Sequence, residues 1–193
     1  MEAEFSLTAR WVIPVATPPI PGGIVVVRDS LIVAVEPAGT RKADLDLGNA
    51  ALLPGLVNAH AHLDLRGRIP PAGDFVDWLR AVVAHRRSQP PAANQAAIEK
   101  GLADALAFGT TAIGDISFCG VSWPTLRDAP IWSNVYYELV GLPLDRATNS
   151  WRDAQTWAAA NPDTEVCRKG WSPHAPYSVR SDLIEAALRS NLP

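Results

Sequence analysis

The 193-residue sequence lacks the features that mark secreted, membrane-spanning and nucleic-acid-binding proteins. Its two cysteines, Cys119 and Cys167, are too few for a disulfide framework and form no CxxC pair. It has no apolar run of about 18 residues that would predict a transmembrane helix, and its start lacks the cationic stretch of a signal peptide. With 17 Lys and Arg against 20 Asp and Glu, it has no basic footprint for nucleic acid or anionic membrane. We therefore expect a cytoplasmic protein without nucleic-acid or membrane partners.

The composition, 48% hydrophobic and 19% charged, is typical of a globular protein with a substantial core. Over residues 1–53 the apolar residues form short runs separated by proline, glycine and polar turns. Residues 24–27 and 31–35 are two such runs around the polar residues 28–30, which favours a β-hairpin. We predict part of a small β-sandwich over residues 1–53.

After residue 53 the pattern changes to strands that alternate with helices. Strands are predicted at residues 56–65, 110–118, 131–139 and 166–171. Helices are predicted behind the cap Asp74, at 94–108, from 149 or 150 to 160, and at 182–190 behind the cap Ser181, with a loop at 66–73. This order implies βαβ units and a parallel sheet. The predicted fold class is therefore α/β, with about four strand–helix units over residues 54–193.

Two histidines separated by one residue, His60 and His62, are the strongest chemical signal. Side chains alternate along a strand, so both imidazoles are expected on one side of the strand near its carboxyl end. Two imidazoles on one side can ligate a single metal ion, and zinc, iron, nickel and copper all accept such ligands. The alternative is a chance pair of histidines at a surface strand end.

Residues 53–65, LPGLVNAHAHLDL, resemble the first barrel strand of the amidohydrolase superfamily, where the pattern is PG-[LF]-[VI]-[ND]-x-H-x-H. The similarity is greatest to its chlorohydrolase/deaminase branch, in particular to aminofutalosine and adenosylhomocysteine deaminases. Further stretches resemble other parts of that branch: residues 9–14 and 27–35 its N-terminal β-sandwich, 109–111 with Asp115 its second barrel strand, and 172–178 its fourth. In the sandwich, Ser30 stands where that branch usually has glycine in an Asp-Gly turn.

The resemblance implies the N-terminal half of a (β/α)8 TIM-like barrel, preceded by a β-sandwich portion. It also implies a metal-dependent hydrolase for C–N bonds that deaminates an aminated heterocycle or nucleoside-like small molecule. His60 and His62 match two metal ligands, and His174 matches a histidine that contacts substrate. One divalent metal ion is implied, with zinc favoured and iron as the alternative.

Three more residues are predicted to contact substrate from their positions near the ligand strand. Asp64 lies two residues beyond His62, where it is expected on the same side of the strand; it would contact ligand, orient a histidine or simply end the strand. Arg66 would meet an anionic group, unless it is a solvated arginine. Trp78 would stack on a heterocycle, unless it anchors a helix in the core.

Asp115 and Glu138 fall on predicted strands, where an acid is costly unless it is paired or at a strand end. We keep both as candidate pocket residues. His85 lies beside Arg86 on a helix, where a solvated face is expected.

The resemblance also implies groups that this sequence does not contain: a third metal histidine followed by a glutamate, a further histidine and a late aspartate. A barrel takes roughly 250 residues, and residues 54–193 supply about half of them. We therefore expect an N-terminal portion of such an enzyme, with its catalytic carboxylates beyond Pro193 and with a homo-oligomer or a missing C-terminal half as partner. The alternatives are a non-catalytic remnant or split-protein half that binds metal weakly, and a different α/β protein that uses His174 as third ligand.

Overall fold

The computed structural model describes residues 4–66 and 73–190. The chain divides into two compact units, residues 1–55 and residues 56–193. The loop predicted at 66–73 lies largely outside the described residues. In the described part of the chain, no helix has the length and apolarity needed to span a membrane.

The first unit is all β, as its short apolar runs predict. It contains seven strands: β1 (Glu4–Thr8), β2 (Trp11–Val12), β3 (Ile20–Pro21), β4 (Ile24–Arg28), β5 (Leu31–Glu36), β6 (Leu45–Asp46) and β7 (Ala51–Leu52). They form a four-stranded sheet in the order β5-β4-β1-β6 and a three-stranded sheet in the order β3-β2-β7. The apolar residues Val12, Ile24 and Val26 are buried in this unit.

The predicted hairpin is confirmed, because β4 and β5 pair antiparallel. Its turn is one residue shorter than expected, since Arg28 already pairs with Leu31. The two turn residues, Asp29 and Ser30, have φ values of 47° and 70°. Both central positions of a type I′ turn need positive φ, so Ser30 adopts the backbone conformation that glycine would adopt at lower cost.

The second unit alternates strands and helices, as predicted. Its strands are β8 (Leu56–Ala61), β9 (Thr110–Ser117), β10 (Trp132–Leu139) and β11 (Cys167–Pro173). Its helices are α1 (Phe75–Ser88), α2 (Pro91–Ala107), α3 (Trp123–Leu126), α4 (Leu144–Ala160) and α5 (Ser181–Arg189). The four strands form one sheet in the order β11-β10-β9-β8, and every neighbouring pair is parallel.

The helices of this unit differ from the predicted helices mainly in the residue at which each begins. Asp74 caps α1 as expected, since its side chain accepts the backbone N–H of Asp77 at 2.9 Å. Helix α2 begins three residues early because Pro91 occupies its first turn, where a proline loses no hydrogen bond. Helix α4 begins at Leu144, directly behind Pro143 and well before the polar caps predicted at 149 or 150. Ser181 is the first residue of α5 and not its cap.

The core of this unit consists of two clusters between the sheet and its helices. One contains Leu63, Ile98, Ile113, Trp123, Leu126, Ala129, Ile131, Val135 and Cys167. The other contains Tyr137, Leu139, Ala147, Ala154, Trp171, Val179, Leu183 and Ala187. Trp157 packs against both clusters and therefore joins them.

Candidate metal centre

The strand that carries the histidines is irregular where they lie. Asn58 pairs with Ile113 and Ala61 with Asp115, so three steps along β8 match two steps along β9. This is a β-bulge, a device that re-aims side chains near functional sites. The neighbouring strand makes room for it with Gly114, since a Cβ there would lie 2.6 Å from the carbonyl oxygen of Ala59.

His60 and His62 lie close together at the carboxyl end of β8. Their ring centroids are 5.3 Å apart with the ring planes at 69°. His60 is exposed, whereas His62 is half-buried and lies just beyond the strand, with φ −128° and ψ 83°. The bulge and this turn, rather than an unbroken strand, therefore place the two imidazoles.

The surroundings of His62 suit a metal ligand. Its Nδ1 atom is buried and has no hydrogen-bond partner among the described residues. Burial lowers the pKa of His62, and the negative charges of Glu138 and Asp64 oppose that effect. A lowered pKa favours the neutral imidazole, which is the form that ligates a metal ion.

The prediction that Asp64 lies on the same strand as the histidines is wrong. It lies in a 3₁₀ turn, Leu63–Leu65, that begins directly after His62. Its side chain is buried, and its Oδ2 lies 3.0 Å from Nε of Arg86. Burial raises the pKa of Asp64, while the positive charge of Arg86 opposes the rise.

The two acids that do lie on strands, Glu138 and Asp115, have different hydrogen-bond partners. Glu138, near the end of β10, accepts a 2.9 Å hydrogen bond from Nη1 of Arg86. Asp115, at the same end of β9, accepts the backbone N–H of Leu63 at 2.9 Å. Burial raises the pKa of Asp115 to about 6, and the hydrogen bond from the backbone of Leu63 acts against the rise.

His174 follows the last residue of β11 and is exposed. Its Nδ1 lies 2.7 Å from Oγ of Ser178, and its ring meets Tyr177 edge-on at 5.9 Å. Tyr177 in turn meets Phe75 of α1 at 6.3 Å, and Phe75 stacks on Trp78 at 6.1 Å. An exposed row of aromatic rings thus connects the start of α1 with the loop after β11.

Trp78 is 43% exposed, so the alternative of a core anchor does not hold. Arg66 makes an ion pair with Asp104 of α2 and is also partly exposed. Arg66 is therefore paired with a neighbouring helix, whereas Trp78 is exposed to solvent in the aromatic row.

The described residues bring together two imidazoles but not a complete ligand set. Within 4–66 and 73–190, no group of three or more His, Cys, Asp and Glu side chains could hold a metal ion. The alternative in which His174 is a third ligand to the metal of His60 and His62 is therefore not supported by this geometry.

Sequence reasoning missed Arg86, which pairs with both buried acids near His62. The run of two arginines beside His85 indicated a solvated helix face. The signal that would have found it is spacing, because Leu79, Val82 and Arg86 recur at the i, i+3 and i+7 positions of the half-buried face of α1. Two acids on predicted strands also required a partner of opposite charge.

Fold and site together define a parallel β/α domain of the barrel type with a candidate metal centre at its strand ends. Residues 51–191 match the sequence model of the amidohydrolase family. The chain therefore belongs to the amidohydrolase family.

Two relatives are aminodeoxyfutalosine deaminases. That of a Nitratiruptor species is 30% identical over 144 residues, which cover 72% of this chain and 36% of the relative. That of Deinococcus radiodurans is 28% identical over 177 residues, which cover 85% of this chain and 40% of the relative. The chain thus spans less than half the length of these proteins.

Solved structures show the same fold. Aminofutalosine deaminase of Helicobacter pylori superposes with a TM-score of 0.75 at 22% identity, over 96% of this chain and 46% of that one. Guanine deaminase of C. acetobutylicum gives a TM-score of 0.74 at 15% identity, over 96% and 49%. The predicted fold class, α/β with part of a TIM-like barrel preceded by a small β portion, is confirmed.

Proposed function

We propose that this chain supplies the metal-binding half of a hydrolase that deaminates an aminated heterocycle of a nucleoside-like small molecule. The observation that carries the proposal is the close pair of His60 and His62 at the carboxyl end of the first barrel strand. In barrels of this type the active site lies at the carboxyl ends of the strands. The two aminodeoxyfutalosine deaminases among its relatives support the reaction class.

The spacing of the two imidazoles fits one shared ion. A tetrahedral zinc ion holds imidazole nitrogens at about 2.0–2.1 Å, so two rings that share it have centroids roughly 5 Å apart. The observed 5.3 Å agrees with that value. We assign zinc, with iron as the alternative, because both accept neutral imidazole.

The chain's own residues would bind the metal and position the substrate. A bound divalent ion supplies an activated water molecule at neutral pH. Trp78 offers an exposed ring on which a planar heterocycle could stack. His174, whose Nδ1 is engaged by Ser178, would contact substrate through its Nε2 atom. The net reaction replaces the exocyclic amine with oxygen from water and releases ammonia.

Two further predicted substrate contacts have other partners in the structure. Arg66 would have to leave Asp104 to meet an anionic group. Asp64 is buried against Arg86, which favours the alternative that it orients a histidine. The activity proposed is that of the whole protein, in which the equivalent of the relatives' remaining half belongs to the same chain or to a partner.

The test is metal content and ammonia release, measured on the purified protein as its source cell makes it. We expect about one zinc or iron ion per chain and release of ammonia from 6-aminopurine nucleosides. His60→Asn and His62→Asn should each reduce metal content at least tenfold. His85→Asn is the matched control, since His85 is a half-buried histidine of α1 whose ring contact is Gln89.

Unchanged metal content in both site variants would refute the metal centre. A metal-loaded protein that releases no ammonia from any such nucleoside would refute the deaminase assignment and support the non-catalytic remnant.

A further inference from the structure

We propose that Arg86 is a positioning residue for the metal ligand His62, acting through the buried carboxylates of Asp64 and Glu138. The inference rests on the proposed metal site at His60 and His62. It adds a residue of helix α1 to that site, although Arg86 lies 24 residues beyond His62 along the chain.

Arg86 bridges two acids that are themselves almost inaccessible to solvent. Nε of Arg86 lies 3.0 Å from Oδ2 of Asp64, and Nη1 lies 2.9 Å from Oε2 of Glu138. The side chains of both acids are 2% exposed and that of Arg86 is 16% exposed. The guanidinium also lies 5.0 Å from the centroid of the Phe118 ring, which supplies a cation–π contact.

This arrangement differs from a surface ion pair. Two buried carboxylates near each other repel, and each is costly to bury without a partner of opposite charge. A planar guanidinium can face both at once, whereas the ammonium of lysine is a point charge without that fork. Arg86 is therefore the residue that allows Asp64 and Glu138 to lie together near His62.

The link to the metal site runs through the short turn after β8. His62 precedes that turn, and its carbonyl oxygen accepts the backbone N–H of Leu65 at 3.1 Å. Asp64, inside the turn, is held by Arg86, and Leu63 is held by Asp115 through its backbone N–H. Two side chains from other elements thus hold the turn that follows His62.

A purely structural role for Arg86 would be to attach α1 to the sheet. No residue of α1 is fully buried, so this helix has few apolar contacts of its own. The two roles differ in what they change: loss of attachment lowers stability alone, whereas loss of positioning also changes the geometry and affinity of the metal site. Partners of this kind typically change metal affinity by about 10–100-fold when they are mutated.

The experiment compares Arg86→Met, Arg86→Lys and the control Arg87→Met in the purified natural protein. Zinc affinity is measured by competition with a chromophoric chelator, and ligand geometry by the visible spectrum of the Co(II) form. We expect Arg86→Met to bind zinc about 10–100-fold more weakly with an altered Co(II) spectrum. Arg86→Lys should lie between Arg86→Met and the wild type, and Arg87→Met should match the wild type.

If Arg86→Met does not fold, the triple variant Arg86→Met, Asp64→Asn, Glu138→Gln is measured instead, because it also removes the repulsion between the two buried acids. Weakened zinc binding in this triple variant supports the inference. A folded variant of either kind with wild-type zinc affinity and Co(II) spectrum overturns it while leaving the metal site intact. A wild-type protein that binds neither zinc nor iron overturns the metal site and this inference together, so the two failures are distinguishable.

Discussion

The carboxylate of Asp115 accepts the backbone N–H of Leu63 at 2.9 Å, so the second barrel strand holds the turn that follows the first. The acid is 1% exposed and its second carboxylate oxygen is buried as well. Helix α2 closes the same turn from outside, where Gly101 lets the Leu63 side chain approach the helix backbone. The turn after His62 is therefore held between a strand and a helix.

Replacing this acid should change how stability depends on pH. Burial raises the pKa of Asp115 to about 6 in the folded state. In the unfolded state the carboxyl has its ordinary, lower pKa, so between these two pKa values the folded protein keeps a proton that the unfolded protein has lost. Stability contributed by this group is therefore greatest below about pH 4 and falls until about pH 6, by about 2–3 kcal/mol. Asp115→Asn keeps an acceptor for Leu63 and should be more stable than the wild type above pH 6 but not at pH 4.

Urea unfolding at pH 4 and pH 7 measures that difference. Asp128→Asn is the control, because the side chain of Asp128 is exposed. Equal differences between Asp115→Asn and wild type at the two pH values would contradict the prediction.

Gly114 should tolerate no side chain. A Cβ there would lie 2.6 Å from the carbonyl oxygen of Ala59 and 3.2 Å from the ring of Tyr136. Because backbone must move, Gly114→Ala should lower the free energy of unfolding by about 1–3 kcal/mol and weaken zinc binding by displacing the bulge that carries His60. Gly73→Ala is the control, since its Cβ would make only an ordinary 3.4 Å contact with Asp77. Thermal unfolding and zinc titration that fail to distinguish the two variants would count against the prediction.

Among the tryptophans that are not fully buried, Trp157 should contribute most to the free energy of unfolding. Its ring meets Trp123 edge-on at 5.7 Å and lies 5.4 Å from Tyr137, and it packs against both core clusters. Trp157→Ala should lower the free energy of unfolding by about 3 kcal/mol or more. Trp132→Ala, at a residue that is 60% exposed, should cost less than about 1 kcal/mol. Chemical denaturation of both variants tests this, and similar losses would refute it.

The strands and helices that depend on local sequence patterns could be predicted. Apolar runs around a polar turn identified the β4–β5 hairpin, the alternation of strands and helices indicated the parallel sheet, and the acidic cap Asp74 marked the start of α1. The start of α4 was missed because Pro143 precedes it and the helix needs no polar cap there.

The site was only partly accessible from the sequence. The HxH pair stands out in the sequence, but the bulge before Ala61 depends on close packing of Ala59 against Gly114 of another strand, which no local pattern reveals. The spacing of Arg86 places it on the half-buried face of α1, but its partners Asp64 and Glu138 come from elements separated from α1 in sequence and were not accessible from that spacing.

The bulge in β8 has a consequence for how this protein can vary. Between Asn58 and Ala61 the strand contains one residue more than its neighbour. A strand that gains or loses one residue turns every later side chain to the opposite face. Substitutions near the histidines are therefore local events, whereas a single-residue insertion or deletion between positions 58 and 62 would turn one or both imidazoles to the opposite face. The gene segment that encodes this strand is constrained in length more strictly than in composition.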